Sequence, residues 1–132
     1  MTSATTAFDL EGAYLALEGA GAVTQMEGGA AFWRNVATSP AAGGTLVTVS
    51  GGEGDWPHWE MHPAADEVLV GLEGSARLVF EHPDGRTAVH DLIPGVTLVV
   101  PRGVWHRALG QRALKVLFIT YGAGTQHRPA GS

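Results

Sequence analysis

The stretch Gly54-Asp-Trp-Pro-His-Trp-Glu-Met-His-Pro-Ala-Ala-Asp-Glu-Val-Leu-Val-Gly-Leu-Glu-Gly74 joins ionisable side chains to an apolar, β-branched run. Glu60 and His62 are two residues apart. On a strand they therefore point to the same face, about 6.7 Å apart along it. Glu67 follows five residues later and begins the apolar run. We expect these three side chains to reach one interior region from neighbouring strands.

A second cluster lies downstream, at Gly95-Val-Thr-Leu-Val-Val-Pro-Arg-Gly-Val-Trp-His106. An apolar strand is predicted to end at Pro101, and Gly103 provides the tight turn that presents His106. Imidazole and carboxylate groups that converge from several strands make a natural site for a divalent metal ion.

The rest of the chain has the pattern of short strands separated by turns. The segment His82-Pro-Asp-Gly-Arg86 indicates a hairpin, because Gly85 tolerates a positive φ. Strand and turn signals recur roughly every 8 to 12 residues without a long amphipathic helix, which favours an all-β sandwich or barrel. Leu10–Leu17 fits either a short helix or an edge strand. The predicted strands are Ala30–Arg34, Thr45–Ser50, Glu67–Leu72, Ala76–Glu81, Thr87–Leu92, Thr97–Pro101 and Leu114–Tyr121.

Composition limits the function. The 132 residues suit one domain, and a hydrophobic fraction of 45% excludes a disordered chain. The net charge is 8 − 13 = −5, which excludes a general binder of nucleic acids or anionic membranes. Cysteine is absent and there are six histidines, so a bound metal must be held by nitrogen and oxygen.

The predicted organisation is a single domain over residues 1–132. It comprises an N-terminal segment (1–29), a core of strands (45–121) and a C-terminal tail (122–132), which is expected to fray unless it folds over an entrance. The N-terminus lacks a basic region, and no apolar run approaches the roughly 18 residues that span a bilayer, so a cytoplasmic location is expected. His82, His90 and His127 are expected to need no special role.

Both clusters resemble the two motifs of the cupin superfamily. The first motif is matched in spacing by Gly54-x5-Glu60-x-His62-x4-Glu67-x6-Gly74, and the second by Gly95-x5-Pro101-x-Gly103-x2-His106-x3-Gly110. Two departures occur: Glu60 stands where the first histidine usually lies, and Gly110 replaces a final Asn.

The resemblance implies a cupin-type β-barrel, also called a double-stranded β-helix or jelly roll, with one metal ion inside. Carried over by position, the ligands are Glu60, His62, Glu67 and His106. Because small cupins commonly pair, a homodimer is also expected, with a small-molecule substrate and no nucleic-acid or membrane partner.

Glu60 changes the chemistry of the implied site. Two carboxylates around a divalent ion leave a formal charge of 2 − 2 = 0, so the site is a weaker Lewis acid than one with three histidines. It is also harder, which favours Fe²⁺ or Mn²⁺, with Zn²⁺ or Ni²⁺ as alternatives. If one carboxylate moves away, two histidines and one carboxylate remain, a set that leaves positions open for O₂ and substrate.

His58 and Glu60 are the candidate catalytic residues. Gly52-x5-His58 also fits the start of the first motif, but Glu67 then follows too late. His58 and His62 would lie about 13 Å apart along a strand, too far to share an ion unless the chain bends. We therefore expect His58 near the cavity mouth as an acid–base group, and Glu60 as either a ligand or a general base.

The predicted function is a metal-dependent enzyme acting on a small molecule, with an Fe- or Mn-dependent dioxygenase ranked first. A redox-neutral lyase or isomerase and a non-enzymatic metabolite-binding barrel are the alternatives. Trp56, Trp59 and Trp105 are expected to pack the barrel or its mouth. Arg102 and Arg107 are expected to be solvated at strand ends, with a substrate carboxylate as an alternative partner.

Overall fold

The computed structural model describes residues 2–3, 7–121 and 123–131. Among these residues, ten antiparallel strands form one sheet, accompanied by a single-turn helix, α1 (Ala30–Arg34), and by three short 3₁₀ turns at Gly19–Gly21, Val36–Thr38 and Pro40–Gly43. The strands are β1 (Thr2–Ser3), β2 (Ala13–Leu17), β3 (Val23–Glu27), β4 (Thr45–Gly54), β5 (His58–Met61), β6 (Glu67–Glu81), β7 (Thr87–Leu92), β8 (Thr97–Val100), β9 (Trp105–Tyr121) and β10 (Gln126–Pro129).

The strand order explains how residues far apart in sequence meet. Along the sheet the order is β1-β3-β2-β4-β9-β5-β10, and β6 pairs with β7, β8 and β9. The two longest strands, β6 and β9, form the centre, and β9 also pairs with β4 and β5. The all-β fold expected from the sequence is confirmed.

Among the described residues, the buried hydrophobic side chains form two clusters. The larger lies among the barrel strands and includes the fully buried Leu78 and Leu92. The smaller lies under the N-terminal strands and contains Tyr14, Met26 and Phe32. Within the described residues, no helix is long and apolar enough to cross a membrane.

The strand predicted at Ala30–Arg34 is wrong, because this segment is α1. Its single turn buries Phe32, whose ring meets that of Tyr14 edge-on at 5.1 Å. A segment of only five residues has too little periodicity to separate helix from strand, so tertiary packing decides its conformation. Leu10–Leu17 is neither a helix nor an edge strand, since Ala13–Leu17 forms β2 between β3 and β4.

The two strands predicted on either side of Glu73–Ser75 are one strand, β6, with a bend. Its register against β9 shifts between Gly71 and Arg77, so the ladder continues past the irregularity. Gly74 lies there at a φ of 67°, and a Cβ at this position would be 2.2 Å from the carbonyl oxygen of Arg112. Only glycine fits this bend, and the bend lets β6 continue as one strand from Glu67 to Glu81.

The described part of the C-terminal tail contains a strand that pairs with the sheet. Gln126–Pro129 forms β10, which pairs antiparallel with β5 so that His127 faces Glu60. Residues 122 and 132 of the predicted tail lie outside the described residues, as do residues 1 and 4–6 of the N-terminal segment.

Candidate metal centre

The four side chains that the cupin resemblance implies as metal ligands lie in or beside three paired strands, β5, β6 and β9. Glu60 lies in β5, with His62 just beyond its end, and Glu67 begins β6. His106 lies at the start of β9, directly opposite Glu60 in the β5–β9 ladder. The structure therefore brings Glu60, His62, Glu67 and His106 together, and we call them the inner cluster.

The inner cluster is compact. His62 Nε2 lies 2.9 Å from Glu60 Oε1 and 3.3 Å from Glu67 Oε1. His106 Nε2 lies 3.0 Å from the same Glu67 oxygen. One ligand atom from each residue lies within 4.8 Å of the others. His62, Glu67 and His106 are buried, whereas Glu60 keeps 24% of its side chain exposed.

Three atoms of the inner cluster have no hydrogen-bond partner among the described residues: His62 Nε2, Glu67 Oε1 and His106 Nε2. Both nitrogens lie at ion-pair distance from the Glu67 oxygen, and these contacts do not count as hydrogen bonds. Buried polar atoms without partners are costly and rare. All three would be satisfied at once by a cation between them, so the donor set fits a divalent metal ion.

The other polar atoms of these residues are held from outside the cluster. His106 Nδ1 lies 3.3 Å from the Val104 carbonyl, which only accepts, so a proton on Nδ1 would be held there and Nε2 is the nitrogen that faces the cluster. Thr120 Oγ1 donates to Glu67 Oε2 at 2.6 Å. His62 Nδ1 lies 2.8 Å from Thr125 Oγ1. Such contacts orient ligands and raise their affinity for metal.

Thr120 and Thr125 were missed in the sequence analysis. Thr120 carried one usable signal, because it is a polar residue in the otherwise apolar end of β9. Thr125 carried none, since its partner is 63 residues away.

The electrostatics of the cluster follow from opposite charges in a buried space. Burial alone would lower the pKa of His62, but the carboxylates of Glu60 and Glu67 outweigh it and raise the pKa to about 9. Burial alone would raise the pKa of Glu67, but His106 and His62 outweigh it and lower the pKa to about 2. For Glu60, burial would raise the pKa, but the neighbouring imidazole of His62 outweighs it, so the pKa is lowered. Both carboxylates are therefore ionised near neutral pH.

His58 lies outside the inner cluster, as the preferred alignment of the motif requires. Its half-buried ring lines an open depression of about 520 Å³, together with Pro57, His127, Arg128 and Pro129. Its ring centroid is 4.9 Å from that of His127. The acid–base role of His58 stays a prediction.

His127 was expected to need no special role, and the structure places it against Glu60. His127 Nε2 lies 3.2 Å from Glu60 Oε2, a contact made across the β5–β10 ladder. His82 and His90 are half-buried, and the ring of His90 lies 4.8 Å from that of Phe80.

The tryptophans and arginines around the cluster have partners within the protein. The ring of Trp56 lies 6.0 Å from that of His106. Trp59 and Trp105 flank the guanidinium of Arg128, whose Cζ lies 5.0 and 4.7 Å from the two ring centres. The two arginines near the second motif already have partners: Arg102 binds Asp66, and Arg107 Nε donates to the Trp56 carbonyl at 2.7 Å.

Solved structures share this fold at low sequence identity. A cupin-2 domain containing protein from Shewanella frigidimarina NCIMB 400 is 26% identical, with a TM-score of 0.46 over 58% of this chain and 69% of its own. Hydroquinone 1,2-dioxygenase PnpCD, solved with Cd²⁺ and 4-hydroxybenzonitrile, is 20% identical, with a TM-score of 0.52 over 58% and 56%. The hydroquinone 1,2-dioxygenase of Sphingomonas sp. TTNP3 is 17% identical, with a TM-score of 0.50 over 60% of both chains. The matched region thus spans less than two thirds of either dioxygenase chain.

No curated protein gives a significant sequence match. The cupin family model matches residues 20–130, which include both motifs, the inner cluster and β10. The chain belongs to the cupin family.

Proposed function

We propose that this cupin is a metal-dependent enzyme for a small organic substrate, with one divalent ion held by Glu60, His62, Glu67 and His106. The observation that carries the proposal is the convergence of three buried atoms that lack hydrogen-bond partners among the described residues, His62 Nε2, Glu67 Oε1 and His106 Nε2. A purely structural polar cluster would be expected to satisfy these atoms with one another.

Within this proposal the reaction is an oxygenation. Glu60 is the most exposed member of the inner cluster, and its second oxygen already has a partner in His127. Glu60 is therefore the carboxylate best placed to dissociate from the ion. His62, His106 and Glu67 would then remain as a set of two histidines and one carboxylate. A bound Fe²⁺ ion would supply the redox chemistry that O₂ activation requires. Glu60 and His58 are proposed to move protons at the substrate.

Similar folds support this choice only by analogy, because function depends on the site. The PnpCD dioxygenase was solved with a metal ion and an aromatic compound. Hydroquinone is therefore a reasonable first compound in a substrate screen.

Metal analysis is the first test. Protein loaded anaerobically with Fe²⁺ or Mn²⁺ and then desalted should hold about one tightly bound ion per chain. The His106→Ala variant should lose that ion, whereas His82→Ala should keep it. An ion present at 100 times its Kd should stabilise the fold by about 2.7 kcal/mol, a gain absent from His106→Ala. Absence of stoichiometric metal under every loading condition would refute the proposal.

Oxygen consumption then separates the reaction classes. The Fe²⁺ form should consume O₂ when hydroquinone or other small phenols and organic acids are added. Turnover that persists under strict anaerobiosis would instead support a lyase or isomerase.

A further inference from the structure

Glu60 directs its two carboxylate oxygens to different sets of histidines. Oε1 lies 2.9 Å from His62 Nε2 inside the barrel, and Oε2 lies 3.2 Å from His127 Nε2 on the outer side. A carboxylate offers about four lone-pair sites, so the two oxygens can serve two cations at once. Glu60 therefore stands between two separate groups of nitrogen ligands.

The outer group is assembled by the pairing of β5 with β10. His127 lies directly opposite Glu60 in this ladder, and His58 is two residues before Glu60 on β5, hence on the same face. Ligand atoms of His58, Glu60 and His127 lie within 4.8 Å of one another. Since a Zn–N bond is about 2.0–2.1 Å, side-chain shifts of about 1 Å would place all three around one ion.

The surroundings of this group also suit a cation. Both imidazole rings line the open depression of about 520 Å³, so an ion and its remaining water ligands have access from solvent. His58 is half-buried and His127 is 52% exposed. The backbones beside them are restrained, because Pro57 precedes His58 and Pro129 lies opposite it in the ladder.

We propose that His58, His127 and Glu60 form a second, outer site for a divalent transition-metal ion, with Glu60 as the bridge to the inner cluster. Two imidazoles and one carboxylate are ligands that suit Zn²⁺, Cu²⁺ or Ni²⁺. The outer site stands on its own residues, whereas the bridging role of Glu60 rests on the proposed inner centre. His58 and Glu60 can move protons, as the proposed function requires, only in protein whose outer site is empty.

The test is the number of Zn²⁺ ions bound per chain, measured by equilibrium dialysis and elemental analysis. Wild-type protein should bind two ions, and the His58→Ala/His127→Ala double variant should bind one. His82→Ala is the matched control, because among the described residues His82 belongs to neither candidate group, and it should still bind two. Glu60→Gln should weaken the binding of both ions, whereas the double variant should weaken the binding of the outer ion only.

The same measurement separates this proposal from the proposed function. His106→Ala should remove the inner ion and leave the outer one. If His106→Ala leaves binding unchanged while the double variant lowers the stoichiometry, the inner centre fails and the outer site stands. If the double variant binds as many ions as wild type, with equal affinities, the outer site is overturned.

Discussion

The hydroxyl of Thr125 lies 2.8 Å from Nδ1 of His62, although 63 residues separate them along the chain. The C-terminal segment thus contributes directly to the orientation of a candidate metal ligand. His127, two residues later, contacts Glu60 in the same way. The C-terminal partners of two inner-cluster residues are therefore in place only when β10 is paired with β5.

Removing the Thr125 hydroxyl should weaken metal binding without unfolding the protein. Thr125→Val deletes the contact that fixes the ring of His62, and loss of such a contact typically costs 10–100-fold in metal affinity. Thr125→Ser keeps the hydroxyl and should restore most of the affinity. Competition with a chelator of known affinity measures the change. Equal affinities for the Val and Ser variants would contradict this role.

Metal affinity should rise with pH. The two carboxylates raise the pKa of His62 to about 9, so in the metal-free protein His62 holds a proton at neutral pH. A metal ion at Nε2 must displace that proton, so apparent affinity should increase up to tenfold per pH unit and level off above about pH 9. Glu67, with its pKa lowered to about 2, adds no proton in this range. Chelator competition measured from neutral pH to above pH 9 provides the test. A metal affinity independent of pH would contradict the prediction.

Arg128 should hold β10 against the barrel. Its guanidinium lies between the rings of Trp59 and Trp105, and Nη2 donates to Glu81 at 2.8 Å. Each cation–π contact contributes about 0.5–1 kcal/mol, so Arg128→Ala should ease local opening of β10 by about 1–2 kcal/mol.

The measurement is amide hydrogen exchange at residues 126–128, which should become about 5–30 times faster. Arg86→Ala is the matched control, because Arg86 is exposed in the hairpin and pairs with its neighbour Asp84. Exchange in β10 that is the same in both variants would show that Arg128 does not secure the strand.

Gly74→Ala should destabilise the barrel severely. The residue has a φ of 67°, and a Cβ would lie 2.2 Å from one carbonyl oxygen and 2.3 Å from another. The expected loss in the free energy of unfolding is more than about 3 kcal/mol. Gly85→Ala has a similar positive φ but no atom within 4 Å of the new Cβ, so it should lose only about 1–2 kcal/mol. Denaturant unfolding measures both, and equal losses would refute the steric argument.

The sequence by itself determined the fold family and the set of residues in the inner cluster. Glu60, His62 and Glu67 lie within eight residues, and His106 follows a Pro-x-Gly turn. The resemblance of these two motifs to those of cupins implied the four residues as one set, and the structure brings them together.

Tertiary structure alone decided which residues surround the inner cluster. Thr125 and His127 meet β5 through a ladder between distant segments, and no short-range pattern encodes such a pairing. The same holds for Ala30–Arg34, where the burial of Phe32 against Tyr14 selects a helix over a strand. Long-range contacts gain their free energy only when the whole sheet has formed, so the closure of the candidate site by β10 appears only in the folded molecule.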